Sequence, residues 1–170
     1  MNLKKSNTPP IITVVGNSGS GKTTFIERLI PEIIKYELKV GTIKHDVHGF
    51  EMDKPGKDSW RHKKAGAATT IISSSRQIGM VKDVTCEHSP KELLSLFEDV
   101  DIVIAEGYKS LKYPKLEFFR AKISPEPLCQ NDPDLLAFIS DVPFDLDVPC
   151  FATDAYKDVT KFLIDYFKLL

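Results

Sequence analysis

The sequence predicts an α/β fold, a three-layer sandwich built around a mostly parallel central sheet. Three observations carry that prediction. Short apolar runs alternate with amphipathic helical stretches along the chain. The first apolar run passes through a glycine-rich loop straight into a helix. Finally, 170 residues of which 42% are hydrophobic are enough to fill a single core, so one domain over 1–170 is expected, with 1–9 as a flexible tail.

The elements follow in order. "PIITVVG" (10–16) is a continuous apolar run ending in glycine, as a strand buried on both faces would be. From Lys22 onward Phe25, Ile26, Leu29, Ile30, Ile33 and Ile34 recur at helical spacing, with charged residues between them. Pro31 lies within this helix and is expected to kink or restart it, because its ring removes a backbone hydrogen bond. "KVGTI" (39–43) reads as a second strand. "ATTIISS" (68–74) and "RQIGMVKD" (76–83) read as neighbouring strands around a short turn. In "SPKELLSLF" (89–97), Ser89 is a helix cap and Pro90 the first helical residue, with Leu93, Leu94 and Phe97 on one face. "VDIVIAEG" (100–107) is another buried strand, and 114–120, 134–140 and 148–153 are expected strands. The chain closes as a helix over 155–170 with Val159, Phe162, Leu163 and Tyr166 inward.

Composition excludes several classes. A net charge of -1 gives no global attraction for nucleic acid or a membrane surface, so any anion site must be local. No apolar run approaches the ~20 residues of a membrane span. The first ten residues carry two lysines without an apolar segment behind them, so no leader is expected. Three cysteines, Cys86, Cys129 and Cys150, lack any CxxC spacing and suggest neither a disulfide framework nor a zinc knuckle. A reduced, cytoplasmic setting is therefore expected.

The chemistry is concentrated in "GNSGSGKTT" (16–24), which satisfies the P-loop pattern G-x-x-x-x-G-K-[ST]. Glycines let the backbone turn so that successive N–H groups converge on a phosphate, and the following helix adds the positive end of its dipole. Lys22 is placed to reach the β- and γ-phosphates and the Thr23 hydroxyl to ligate Mg²⁺. The pattern points to a nucleoside triphosphate and Mg²⁺, and to the P-loop NTPase variant of the sandwich, without naming the base. The acid that completes such a site belongs at the C-terminal end of a strand. In "DIVIAEG" that residue is Glu106, with Asp101 at the other end, and Gly107 permits close approach of the backbone to phosphate. No N-K-x-D sequence occurs. A carboxylate can still accept the adjacent N1–H and N2–H₂ donors of guanine, and Asp141 in "ISDVP" or Asp154 after "CFAT" follows a late strand where such a reader would stand.

One segment has no clear apolar period: "IKHDVHGFEMDKPGKDSWRHKKAG" (43–66) holds three of the four histidines. Over 44–64 six basic side chains face four acidic ones. It reads as a switch and binding loop, with Lys44, His45 and His48 directed at phosphate, a pterin or a partner, and Asp46 or Asp53 joining the Mg²⁺ shell through water. A metal site on His45 and His48, with Asp46 or His62, is a further reading. Asp58 and Ser59 would begin a short helix ending at Gly66, with Trp60 packing on it.

Together, "VVGNSGSGKTTFIERLIPEI", "VGTIKHDVHGFEMDKPGKDSWRHKKAGA" and "DIVIAEGYKSLKYPKLEFFR" resemble the molybdopterin-guanine dinucleotide biosynthesis protein B (MobB) family over roughly 10–153. The resemblance implies a GTP-binding homodimer with weak GTPase activity. It would assist attachment of GMP to molybdopterin, beside the molybdenum cofactor guanylyltransferase. On this resemblance Gly16, Asn17, Ser18, Gly19, Ser20, Gly21, Lys22, Thr23 and Thr24 hold the phosphates and Mg²⁺, Glu106 is the acid after the second nucleotide strand, and "SDVP" (140–143) matches a family segment. Asn17 stands where partition-type ATPases carry an extra lysine, so a lysine shared across a dimer is not expected. Two other classes compete. A small-molecule kinase or ATP-dependent ligase would need an arginine-rich lid, whereas outside the loop the arginines are Arg28, Arg76 and Arg120. A metal-insertion GTPase would need a fuller Cys/His motif.

Overall fold

The fold is that of a computed structural model describing residues 8–170; the first seven residues, and so most of the tail expected over 1–9, lie outside the described residues. Two compact units make up the chain. One comprises the chain up to His45 together with Ser89–Leu170, and the other is Asp46–His88.

The larger unit is built on six strands: β1 Ile11–Val15, β2 Val40–Lys44, β5 Ile102–Glu106, β6 Lys115–Phe119, β7 Leu135–Ser140 and β8 Cys150–Ala152. Their spatial order is β2-β5-β1-β6-β7-β8, and every pairing is parallel. A parallel sheet is covered on both faces, which is why β1 and β5 read as unbroken apolar runs. On one face Ile12, Val14, Ile104, Leu116, Phe118 and Ile139 pack under α1 (Lys22–Ile34) and α4 (Tyr156–Phe167). On the other face Ile11, Ile43, Val103 and Ala105 pack with Leu94, which belongs to the segment formed by α3 (Pro90–Leu93) and the 3₁₀ turn Leu94–Leu96. The three-layer α/β class expected from the sequence is the one observed.

Local chemistry explains the element ends. Ser89 and Glu92 form a reciprocal capping box at the start of α3, with Pro90 in the first turn. The α1 helix starts behind Gly21 and continues past Pro31 for a further turn. The helix is not restarted at Pro31, because a residue missing one N–H near a helix end forfeits a single bond in a segment already anchored by Leu29 and Ile33. In α4 the expected inward face needs correction. Val159, Thr160, Leu163 and Ile164 are buried, whereas Tyr166 is 48% exposed.

The β6 strand carries two buried charges on the same face. Lys115 is 1% exposed and its ammonium lies 3.0 Å from Asp132 and 3.7 Å from Asp134. The Glu117 carboxylate accepts from the N–H groups of Leu128 (2.6 Å) and Cys129 (2.8 Å), while burial pushes its pKa up. The 128–134 segment thereby covers this end of the sheet, with Cys129 and Leu135 packed on Val15. Burial first, then the carboxylates of Glu117 and Asp132, push the Cys129 thiol up to about 11. Only about one thiol in a thousand is then ionised at pH 8. Iodoacetamide at that pH is expected to label exposed Cys86 before Cys129, which should react only after denaturation; mass spectrometry of the labelled peptides reads this out, and early labelling of Cys129 would contradict its burial.

The smaller unit contains α2 (Asp58–Lys64) and the antiparallel pair β3 (Thr69–Ser73) and β4 (Ile78–Lys82). Lys57 takes the N-cap position of its helix without a side-chain cap, and Gly66 beyond it takes the left-handed conformation that ends helices. Lys63 ties the α2 side to the hairpin through the Ala67 carbonyl and the Asp83 carboxylate. Trp60 is partly buried with the Lys64 ammonium 5.5 Å over its ring.

Candidate functional site

The C-terminal ends of the six parallel strands share one edge of the sheet, and the loop after β1 stands in its middle. There Gly16, Gly19 and Gly21 all have positive φ. Gly16 comes so close to β6 that a Cβ would sit 2.3 Å from the Phe118 carbonyl oxygen. Ser20 is buried with an unpartnered hydroxyl, Ser18 and Gly19 are exposed at the turn, and Ser20 N–H donates to the Asn17 carbonyl. The Lys22 ammonium is folded back over the loop, donating to the carbonyls of Gly16 (3.0 Å) and Asn17 (2.8 Å). Burial lowers its pKa, the Glu106 carboxylate opposes that change, and the Lys44 ammonium adds to it. Thr23 and Thr24 are exposed in the first turn of α1.

Glu106 ends β5 next to this loop. Its carboxylate accepts from Thr23 Oγ1 at 3.0 and 3.1 Å and from the Lys44 ammonium at 3.2 Å. Lys44 is its register partner across the β2–β5 pairing. Backbone bonds fix the same corner: His45 N–H donates to the Glu106 carbonyl, and Gly107 N–H to the Val14 carbonyl. A Cβ on Gly107 would lie 3.0 Å from that of His45, whose ring stacks on buried Tyr108 at 4.5 Å. Tyr108 itself has a φ of 55°, an uncommon conformation for an aromatic residue. A hydroxyl and a carboxylate within hydrogen-bond distance, beside a lysine-topped glycine cradle, are oxygen ligands of the type Mg²⁺ takes next to bound phosphates. The residues therefore fit the metal and the phosphate chain.

The other predicted residues divide. Asp101 lies at the opposite end of β5, where it accepts from Lys39 N–H. Asp141 follows β7, two strands from the loop; its Oδ1 accepts from Ala121 N–H at 3.0 Å and its Oδ2 lies 3.8 Å from the Arg120 guanidinium. Asp154 is exposed after β8. Asp46 and His48 belong to the smaller unit, where Asp46 Oδ1 accepts from His48 N–H. Among the described residues, no group of three or more His, Cys, Asp or Glu side chains is placed to hold a metal ion by itself. Arg120 and Tyr108 were not singled out by sequence reading. The available signal was position alone, since each follows the end of a strand flanking β1.

Sheet order and loop together define a P-loop NTPase fold. The model of the family "Molybdopterin guanine dinucleotide synthesis protein B" (MobB) matches residues 11–141. The chain is 35% identical over 160 residues to the molybdopterin-guanine dinucleotide biosynthesis adapter protein of Haemophilus influenzae, covering 93% of this chain and 89% of that one. Identity to the Escherichia coli adapter protein is 33%, covering 92% and 93%. The crystal structure of Bacillus subtilis MobB superposes with a TM-score of 0.74 at 26% identity, covering 92% and 96% of the two chains. The chain belongs to the MobB family. Among the described residues, no helix is long and apolar enough to cross a membrane.

Proposed function

We propose that this protein is a GTP-binding adapter with weak Mg²⁺-dependent GTPase activity. In this reading it assists a guanylyltransferase in attaching GMP to molybdopterin in the cytoplasm, and works as a homodimer. The observation that carries the nucleotide reading is the convergence of Lys22, Thr23, Lys44 and Glu106 at the mouth of the phosphate loop. Family membership supports the pathway, since the H. influenzae and E. coli relatives are adapter proteins of molybdopterin-guanine dinucleotide biosynthesis.

Loop N–H groups from Gly16 to Thr24 surround the phosphates, and Lys22 turns from the loop carbonyls to the terminal phosphate oxygens. Mg²⁺, when bound, supplies positive charge to the phosphate chain, with Thr23 Oγ1 and Glu106 as its holding residues. Glu106 also orients water at the terminal phosphate, and Lys44 beside it is the second cation facing that end. Gly107 keeps the backbone clear there. Asp141 reads the guanine edge. Lys44, His45 and His48 begin the segment that meets the pterin or the partner enzyme.

Glu106→Gln removes a charge while keeping the shape. It is expected to lower Mg²⁺-dependent GTP turnover at least 10-fold while weakening GTP binding less than about 3-fold, since a water-orienting role is felt in the transition state. Turnover by phosphate release and affinity by calorimetry separate the two; equal turnover removes Glu106 from the site. The adapter role is tested by adding the protein to the guanylyltransferase and measuring formation of the guanine dinucleotide. Absence of both stimulation and co-purification would overturn it.

A further inference from the structure

We infer that Arg120 is a specificity-determining positioning residue of the nucleotide site: it stands between the phosphate loop and Asp141 and holds that carboxylate to read the 2-amino edge of guanine. The inference rests on the GTP-binding reading above. The direction of the nucleotide comes first. Thr23, Glu106 and Lys44 mark the metal and terminal-phosphate side of the loop, and the last two lie on β5 and β2. A triphosphate ending there points its nucleoside the other way, over the ends of β6 and β7. From β1 to β7 is two strand spacings, ~10 Å, a span that a ribose and base cover.

What waits on that side is an assembled pair of charges. Arg120 is the first residue after β6, and its guanidinium carbon lies 5.6 Å over the Phe118 ring. That ring is a fixed platform. Phe118 is 1% exposed, packs on Phe25 at 5.1 Å, and lies 3.4 Å from where a Cβ of Gly21 would be. Arg120 thus rests on the residue that also supports the start of α1. Its Nη1 is 3.8 Å from Asp141 Oδ2, and the next residue, Ala121, donates its N–H to Oδ1. From the β6 side Oδ1 accepts one hydrogen bond and Oδ2 faces the guanidinium at ion-pair distance, so each oxygen retains lone-pair capacity for an incoming donor.

The chemistry selects the ligand. Guanine offers two adjacent donors, N1–H and N2–H₂, to such a carboxylate. Hypoxanthine lacks the second, and xanthine replaces it with an acceptor. Loss of one hydrogen bond to a charged group is worth roughly 10- to 100-fold in affinity. If Arg120 sets the orientation of the Asp141 carboxylate, its removal must lower discrimination by the 2-amino group and leave the phosphate contacts alone.

The experiment compares Mg²⁺-GTP, Mg²⁺-ITP and Mg²⁺-XTP binding to the full chain by calorimetry. Wild type is expected to prefer GTP over ITP at least 10-fold. Arg120→Gln should shrink that ratio at least 5-fold, with GTP losing more affinity than ITP, which keeps only the N1–H contact to Asp141. Arg120→Lys, which keeps the charge but not the planar fork, should fall between them. Asp141→Asn should lose GTP and gain XTP, because an amide can donate to the new carbonyl. A merely structural arginine would weaken GTP and ITP equally; that result, or an unchanged ratio, overturns the role of Arg120 while the Asp141 exchange still stands. If wild type shows no GTP preference and Asp141→Asn gains no XTP, the base reading itself falls and this inference with it.

Discussion

Replacing Lys22 with alanine is expected to weaken Mg²⁺-GTP binding more than about 100-fold while shifting the thermal midpoint by less than about 2 °C. Lysine-to-phosphate hydrogen bonds are charge-assisted, and losing their combined strength costs roughly 3 kcal/mol, which is that factor in affinity. The fold should survive because the ammonium's partners are two carbonyls of its own loop, Gly16 O and Asn17 O, which water can satisfy instead. A pH signature accompanies the loss. Burial lowers the Lys22 pKa below the ordinary lysine value, Glu106 opposing and Lys44 assisting. Phosphate binds the protonated form, so wild-type affinity is full below that lowered pKa and declines as pH rises through it. Glu106→Gln removes the opposing attraction, so the decline should begin at lower pH. Calorimetry from neutral to alkaline pH checks both points, and unchanged affinity in Lys22→Ala would remove the loop from nucleotide binding.

How much of this was readable in the sequence depends on which physical term dominates at each place. The phosphate loop was legible because its requirement is local: glycines of positive φ at fixed spacing, a strand before and a helix after. Glu106 was legible for a topological reason. A buried parallel strand ending in an acid delivers that acid to the edge where the P-loop stands, and register then sets Lys44 beside it. The sequence order of strands could not show that β5 rather than β2 neighbours β1, since that choice is made by crossovers.

What pattern reading missed or left unread shares a cause, which is tertiary cover. "PKLEFFR" alternates charged and apolar residues as if one face met water, yet Lys115 and Glu117 are both buried. Their partners come from 128–134, a stretch without regular periodicity, so the cover is invisible to pattern reading. In α4 the expected inner face is Val159, Phe162, Leu163 and Tyr166; Val159 and Leu163 are buried and Phe162 is half-buried against the core, but Tyr166 is exposed. Thr160 and Ile164 take that place beside Val159 and Leu163, because packing against α1 and the sheet selects the stripe and not the largest side chains. Arg120 escaped notice for a similar reason. It gains meaning only from Phe118 beneath it and Asp141 across from it, and those relations exist between strands, not along one.

Gly16→Ala should be the most damaging single-methyl change in the nucleotide loop, with loss of stability and of GTP binding together. The backbone at Gly16 has a φ of 144°, which an L side chain rarely adopts, and the added Cβ would meet the Phe118 carbonyl oxygen at 2.3 Å. That oxygen belongs to a strand between β1 and β7, so it cannot move away without breaking the ladder. Strain of about 1–3 kcal/mol from the dihedral adds to about 1–3 kcal/mol from forced overpacking. For a chain of this size the sum corresponds to a midpoint lower by roughly 10 °C. Gly19 provides the internal comparison. Its φ is also positive at 75°, but a Cβ there meets nothing within 4 Å. Gly19→Ala therefore carries the dihedral cost alone, about 1–2 kcal/mol, and should lower the midpoint by only a few degrees. Thermal unfolding of the two variants side by side isolates the close approach of loop and strand. Equal midpoints would mean that Gly16 serves the loop through flexibility alone, and that the contact with β6 does not hold the phosphate cradle in place.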